Sequence, residues 1–548
     1  MLAVAVNRAI ESARAYHDGT AHSPESVRAS AHRLEWDIQP SPFKIYPDLP
    51  PIPLPRDLPA LELDALAALG GAGEGRARLD LDGLSALLFF SAGITKTKTY
   101  PGGGRQFFRA APSTGALYQT EVYVVAGDVA GLPAGVYHYS PGDFALRRLR
   151  AGDFRGALAV AAADDGIATR QATVILTAIY WRNTWKYQAR GYRHLFWDSG
   201  SLLANLLSCA AALDTPARLV TGFVERDVNG LLGIDVEKEG ALVLAPVGVE
   251  GPTAGIAPLV GLLDHAVVPL SSADVDYPVL RDAYYNSSFD SEAEVQDWRE
   301  TGARAESADG GRAGAISRPP LMVEERAAQP PTSLPPGPTR VPLPPPRSSA
   351  GRSLTATVMR RGSTRQFSGE PISGVEFSTA LFHATRGWPA DVPAGLVELF
   401  VNVHAVDGVE PGAYHYDRAG HGLELIRRGD FRRDSGFLCL GQMLGGASSA
   451  TVFFLADLGE ILPRWGNRGY RVANLEAGLI GGRLYLGAYA QGFGATGLTY
   501  YDRAVVEFFS PASAGLDALF VTALGRSASA QGSAASSPSG LLRPRVIC

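Results

Sequence analysis

The chain has 548 residues, 46% of them hydrophobic, with three cysteines and a formal charge of −5. That length suits two or three globular domains, and the negative balance argues against a nucleic-acid surface. Cys209, Cys439 and Cys548 stand too far apart for a metal-ligand spacing or a disulfide framework, so a reducing compartment is expected.

Residues 1–50 read as a helical lead-in that runs into a proline-rich crossing, Pro40 to Pro55. The N-terminus lacks a secretory apolar core. Residues 51–287 read as a first domain, with helical patterns near 60–92, 153–164 and 197–213 and β runs near 121–126, 173–180 and 241–247. The longest apolar runs, such as Leu202 to Leu213, are too short to span a bilayer. Residues 288–353 read as a helix and a proline-rich linker, which favours extended polyproline II over a packed core. A second domain is expected over 354–528, then a disordered Ser/Ala/Gly tail over 529–548. Short β runs alternating with amphipathic helices predict an α+β layered fold. A cytoplasmic protein with no membrane and no nucleic-acid partner is expected.

One module occurs twice. Gly135-Val136-Tyr137-His138-Tyr139 returns as Gly412-Ala413-Tyr414-His415-Tyr416, Asp153-Phe154-Arg155 as Asp430-Phe431-Arg432, and Glu121 as Glu398. The differences 412 − 135, 430 − 153 and 398 − 121 all equal 277, and Arg190-Gly191-Tyr192-Arg193 returns as Arg468-Gly469-Tyr470-Arg471 at 278. Collinear matches at so constant a spacing read as a duplication, with a period far too long for a solenoid. The copies have kept different parts. Val249 faces Arg526, Asp214 to Leu219 face the Gly492–Gly497 run, and about Leu69 to Ala72 stand where the second copy has Arg360-Arg361-Gly362-Ser363-Thr364-Arg365. Conversely, Pro112-Ser113-Thr114 faces Pro389-Ala390-Asp391, and Lys186-Tyr187 faces Arg464-Trp465.

The Arg361-x-Ser363-x-Arg365-x-Phe367 run resembles the opening of FMN-dependent nitroreductase-fold proteins, and Pro112-Ser113-Thr114-Gly115-Ala116 resembles their Pro-Ser-x-Gly-Ala segment. Together with Tyr16-His17, His22-Ser23-Pro24-Glu25, Trp185-Lys186-Tyr187 and Arg190-Gly191-Tyr192-Arg193, the chain resembles the SagB/McbC-type azoline dehydrogenases. The resemblance implies two fused nitroreductase-like domains, each a central antiparallel-rich sheet flanked by helices, forming an intrachain pseudo-dimer. It also implies a peptide substrate bearing thiazoline or oxazoline rings, and a cyclodehydratase or similar biosynthetic partner.

A phosphate dianion calls for forked, fixed cations, which arginine supplies better than lysine. Arg360, Arg361, Ser363 and Arg365, read as lying near a helix start, therefore suit the flavin tail. The resemblance adds Arg526 and Gln442 to the tail. It brings the Gly494, Ala495, Thr496 and Gly497 backbone, read as a glycine-rich turn, to the flavin, and lays Pro112, Ser113 and Thr114 across the ring. Since the tail elements survive only in the second copy and the ring-side elements only in the first, one FMN per chain is expected between them. Lys186 and Tyr187 are the expected catalytic pair, abstracting a proton while FMN takes the hydride and oxygen reoxidises it. Tyr192 and Arg193, present in both copies, read as scaffold. The longer stretch Thr95 to Phe108 suits a lid or a peptide-contacting loop. Two alternatives stand beside this reading: an NAD(P)H-dependent nitro or quinone reductase, and a non-catalytic docking subunit of a peptide-modifying complex.

Overall fold

A computed structural model describes residues 6–71, 75–101, 104–308 and 339–528. The expected tail at 529–548 and most of the proline-rich linker lie outside the described residues. The first half carries strands β1 (Pro51–Pro53), β2 (Ile94–Thr99), β3 (Arg105–Arg109), β4 (Thr120–Ala126), β5 (Gly135–Ser140), β6 (Ala145–Ala151), β7 (Arg170–Ile179) and β8 (Glu239–Glu250). The second carries β9 (Arg340–Pro342), β10 (Glu398–Val403), β11 (Gly412–Asp417), β12 (Gly422–Arg428), β13 (Ala450–Ala456), β14 (Gly494–Gly497) and β15 (Asp517–Gly525). The helices that matter below are α1 (Glu11–Gly19), α2 (Leu81–Ala92), α3 (Tyr180–Tyr187), α4 (Gly191–Ala212), α5 (Glu292–Ala308), α6 (Leu354–Arg360), α7 (Gly374–Thr385) and α8 (Leu458–Gln491).

The sheet of the first half has the order β1-β6-β5-β4-β7-β8, and that of the second β9-β12-β11-β10-β13-β15-β14. The two orders correspond strand for strand, with β14 as the one addition. Even β14 has a trace in the first half, where Ala217 and Val220 bridge to Val247 and Leu244 of β8. The registers agree as well. Tyr123 pairs with His138 and Phe400 with His415, and both hairpins slip register at the same place, Val136/Tyr137 and Ala413/Tyr414. All the ladder pairs are antiparallel, and helices cover the sheets, so the architecture is α+β with two antiparallel sheets in an intrachain pseudo-dimer. The nominal helical stretch 60–92 is two pieces, Ala65–Leu69 and α2, each capped by an aspartate, Asp64 and Asp80.

The halves meet along α4 and α8. A Cβ on Gly200 would lie 2.3 Å from the Leu475 carbonyl oxygen, and one on Gly478 would lie 2.3 Å from that of Trp197. Since 478 − 200 is 278, a glycine meets its own counterpart at the pseudo-dyad, and only a residue without a side chain permits so close a backbone approach. Trp197 Nε1 donates to Asn474 Oδ1 at 2.8 Å beside it.

The shared Arg-Gly-Tyr-Arg landmark is a reciprocal clamp. Arg190 and Arg193 of the first half hold the buried Asp502 of the second at 2.9 and 2.6 Å. Arg468 and Arg471 hold the buried Glu225 of the first half, the latter at 2.5 Å. Asp502 and Glu225 are themselves 277 apart. Each half therefore grips the other through the same pair of guanidiniums, with paired burial satisfying charges that would be costly alone. The lead-in helix α1 straps both halves: Tyr16 donates to the Ala189 carbonyl at 2.7 Å, and His17 Nδ1 lies 3.2 Å from the Tyr470 hydroxyl. Among the described residues no helix is long and apolar enough to cross a membrane.

Candidate functional site

Lys186 and Tyr187 end α3, and the chain then turns at Gln188 with φ 50° before α4 begins. The second half makes the same turn at Gly466, φ 64°, where the absence of a Cβ removes the steric cost. A glutamine held in that conformation stores strain directly beside the lysine–tyrosine pair. More strain lies in the neighbouring loop, where Ala116 and Tyr118 also have positive φ, 55° and 52°. Tyr187 lies over this loop, since a Cβ on Gly115 would stand 2.9 Å from its hydroxyl.

The loop is held from below by Asp198 of α4. Ser113 Oγ, Thr114 Oγ1 and Gln119 Nε2 donate to the carboxylate at 2.6, 2.7 and 2.7 Å, and the Thr114 backbone N–H donates at 2.9 Å. Ser113 Oγ also accepts the Tyr118 backbone N–H at 2.9 Å. The hydroxyls of Ser113 and Thr114 thus serve the loop's own geometry. Burial pushes the Asp198 carboxyl up to about 6, against the opposing effect of these bonds. The sequence reading missed Asp198, although a lone carboxylate in the apolar run Leu195-Phe196-Trp197-Asp198 was a visible signal.

The second half supplies Arg361 to Arg365. This segment does not open a helix, as the sequence reading had it. Helix α6 ends at Arg360, and Arg361 leaves it with φ −53° and ψ 135°. Its backbone turns instead to the sheet edge: Thr364 N–H donates to the Ala495 carbonyl at 3.0 Å and Ser368 N–H to that of Arg526 at 2.9 Å. Bonding along β14 and β15 replaces the i to i−4 pattern, so no helix N-terminus contributes here. Gly494 to Gly497 likewise form a strand, not a turn, paired with Gly525 to Thr522. A Cβ on Gly494 would come 2.0 Å from Thr364 Oγ1, so the two segments pack without a gap.

Arg361 is buried and reaches across the boundary. Its Nε and Nη2 donate to the carbonyls of Ala110 and Arg109 at 2.7 and 2.8 Å, just ahead of Pro112. Ser363 Oγ lies 3.2 Å from the Tyr485 hydroxyl, which accepts the Gly497 N–H at 2.6 Å. Arg526 ion-pairs with Glu376 of α7 at 2.7 Å. Arg360 is the last residue of α6. Gln442 is not brought to this cluster; its backbone bonds run to Cys439 and Gly445 in a helical connection before β13.

The charge of Arg365, exposed on the second half, reaches Lys186 of the first. Burial, and then the Arg365 charge, lower the Lys186 ammonium below the ordinary lysine range. Burial and the Asp198 carboxylate raise the Tyr187 phenol well above its usual value, opposed by Arg365. Two like charges that act on one another here raise the local positive potential, which favours an anion.

The position related to this one by the pseudo-dyad is closed. Leu219, counterpart of Gly497, pairs with Ala390, counterpart of Ser113, through N–H bonds of 2.9 and 3.1 Å to Pro389 and from Asp391. Trp465 stands where the first half has Tyr187 and is covered by Trp298 of α5, with ring centroids 5.2 Å apart and Trp298 Nε1 donating to the Trp465 carbonyl at 2.8 Å. Arg299 completes the seal, donating to Asp391 at 3.1 Å and to the Gly222 carbonyl at 2.8 Å. Among the described residues no backbone bond joins Pro112–Thr114 to Gly494–Gly497 in this way.

Comparison with known proteins bears on this geometry. The nitroreductase family model matches residues 76–249. A candidate nitroreductase of Methanocaldococcus jannaschii is 33% identical over 171 residues, which are 31% of this chain and 81% of that protein. The chain belongs to the nitroreductase family. The trifolitoxin-processing protein TfxB of Rhizobium leguminosarum bv. trifolii is 29% identical over 172 residues, 30% of this chain and 46% of that one. The crystal structure of a candidate nitroreductase from Anabaena variabilis superposes with a TM-score of 0.71 at 26% identity, covering 94% of this chain and 99% of that one. The whole two-sheet arrangement therefore has a solved counterpart, and the fold is that of an oxidoreductase family whose members typically bind flavin.

The residues present fit FMN. The exposed Arg365 guanidinium and the Ser363 hydroxyl, close in sequence, are donors of the kind a phosphate takes, and the mutual effect of Lys186 and Arg365 adds positive potential. Arg361 and Arg526, already bonded to carbonyls and to Glu376, build the walls of such a site. Among the described residues no group of His, Cys, Asp and Glu is arranged to hold a metal ion.

Proposed function

We propose that this chain is an FMN-dependent dehydrogenase that oxidises azoline rings carried on a peptide to azoles, with one FMN per chain lying between the halves. The observation that carries the reading is Arg361 of the second half gripping the Arg109 and Ala110 carbonyls ahead of the strained Pro112–Tyr118 loop that Tyr187 overlies, with the Arg365 charge acting on Lys186 and Tyr187. The closed counterpart around Trp298 and Trp465 favours a single site.

An azoline loses a proton from its α-carbon and a hydride from its ring methylene. FMN, when bound, would supply the hydride acceptor, with dioxygen as the terminal oxidant. Lys186, its basicity lowered by burial and by the Arg365 charge, is the side chain that accepts the α-proton in its neutral form. Tyr187 stays protonated and donates a hydrogen bond that orients the ring. Ser113 and Thr114, fixed on Asp198, hold the loop against which the ring rests.

Likeness to a protein named for processing trifolitoxin fits the peptide substrate and the cyclodehydratase partner that the sequence resemblance implies. Likeness to a candidate nitroreductase favours a second reading, NAD(P)H-dependent reduction of nitro compounds or quinones. Purified protein should be yellow, and an azoline-bearing peptide should lose two hydrogens per ring by mass spectrometry. Rapid bleaching by NADPH with no change in the peptide would instead support the reductase. Colourless protein that gains nothing from added FMN would leave only a docking role.

A further inference from the structure

The β2–β3 hairpin belongs to the first half alone. From α2 to β4 the chain runs from Ala92 to Thr120, whereas from α7 to β10 it runs only from Thr385 to Glu398. The added length thus stands beside the half that keeps the lysine–tyrosine pair. The arm is rooted in the site itself: Ala110 N–H donates to the Gly93 carbonyl at 2.8 Å, and Arg361 grips the Arg109 and Ala110 carbonyls.

Thr97 pairs with Phe107 and Lys98 with Gln106, so successive side chains point to opposite faces. Phe107 packs 5.5 Å from Phe43 and fixes one face on the body. Lys96 and Lys98 are exposed on the other face, whereas Arg105, paired with Thr99 and 5.8 Å from the Phe107 ring, is exposed near the tip on the Phe107 face. Among the described residues none of the three enters an ion pair, in a chain whose overall charge is −5. The two strands pair only with each other among the described residues, so each offers an unpaired edge of N–H and C=O groups.

We propose that this hairpin is a docking arm for an extended acidic peptide segment, which adds as a further strand and sets its carboxylates against Lys96 and Lys98, with Arg105 adding positive charge near the tip. Backbone bonds along an edge supply affinity, and charge complementarity supplies register and capture rate. A segment held there leads towards Pro112 and Lys186. The inference rests on the peptide substrate of the preceding section and names what that peptide must carry near its ring.

The test is fluorescence anisotropy of the full chain with a short labelled peptide of alternating Glu and Val, compared with Gln/Val and Lys/Val peptides and a DNA oligonucleotide. The Glu/Val peptide should bind most tightly, weaken with salt, and weaken at least about tenfold when N-methylated along one edge. The triple variant K96E/K98E/R105E should lose about tenfold or more for Glu/Val, and should come to prefer Lys/Val, with flavin content unchanged. Equal binding of the three peptides, a triple variant that binds as before, indifference to N-methylation, or a preference for DNA would each overturn the arm. Binding needs no turnover, so colourless protein with the expected peptide pattern defeats only the catalytic reading, and active yellow protein without that pattern defeats only the arm.

Discussion

Arg193 Nη1 lies 2.6 Å from Asp502 Oδ1 across the boundary between the halves, and both groups are buried. With Arg190 it holds the Asp502 carboxyl down at about 2, despite a burial that alone would raise it. The pair is therefore part of what makes two sheets one molecule. Asp502→Asn should cost about 3–5 kcal/mol, because two guanidiniums lose their counter-charge in the interior. A depressed carboxyl contributes stability that is present above its unfolded value of about 3.9 and is lost as pH falls towards 2. Urea unfolding at neutral pH and near pH 3 should show the gap between wild type and variant narrowing in acid.

Lys186→Met should cut turnover by about 10²- to 10⁴-fold while leaving bound flavin in place, if the amine is the base. Arg365→Gln removes the charge that helps lower Lys186 and should raise its basicity. The amine must be neutral to accept a proton, so the rate-against-pH curve should move to higher pH in that variant. A curve that stays put would remove Lys186 from the proton transfer.

The Asp198 carboxyl is raised to about 6, the opposite sense from Asp502. Its contribution to stability is thus fullest below about 3.9 and falls as pH rises through 6. Asp198→Asn relieves a buried charge, yet an amide offers one acceptor oxygen where Ser113, Thr114 and Gln119 all donate. We expect stability at pH 7 to change by no more than about 1–2 kcal/mol. Turnover should fall at least about tenfold as the loop shifts, with the loss mainly in kcat.

Trp298→Ala should cost about 3–5 kcal/mol by opening a cavity over Trp465, seen as a lower Tm. The flavin content should stay at one per chain, because Val249 and Leu219 offer no cation and no glycine strand there. Two flavins per chain in either protein would contradict the single-site reading.

Much of the architecture was written in the repeat spacing. Matching Tyr-His-Tyr and Arg-Gly-Tyr-Arg segments located equivalent strands, the start of α4 and the matching stretch of α8 just past its kink at Gly466, because both halves need the same hairpin and the same clamp. The complementary losses, Lys186-Tyr187 against Arg464-Trp465, pointed to a composite arrangement. What did not show was the local conformation of Arg361 to Arg365. A serine and three arginines read equally well as a helix start, and only the pull of the β14–β15 edge makes the segment extended. Nor could spacing reveal that Trp298, in a stretch taken as a helix leading to a linker, would bury itself over Trp465. That contact joins residues 167 apart in sequence.

The glycine-to-glycine contact of α4 with α8 is unimolecular. Separate subunits come apart once diluted below their dissociation constant, whereas a tether keeps the local concentration of its two ends fixed. The pairing here should persist at any dilution, and a substitution enters each assembly once rather than twice. That single dosage is what allows one flank to be walled up by tryptophans while its sibling stays in service.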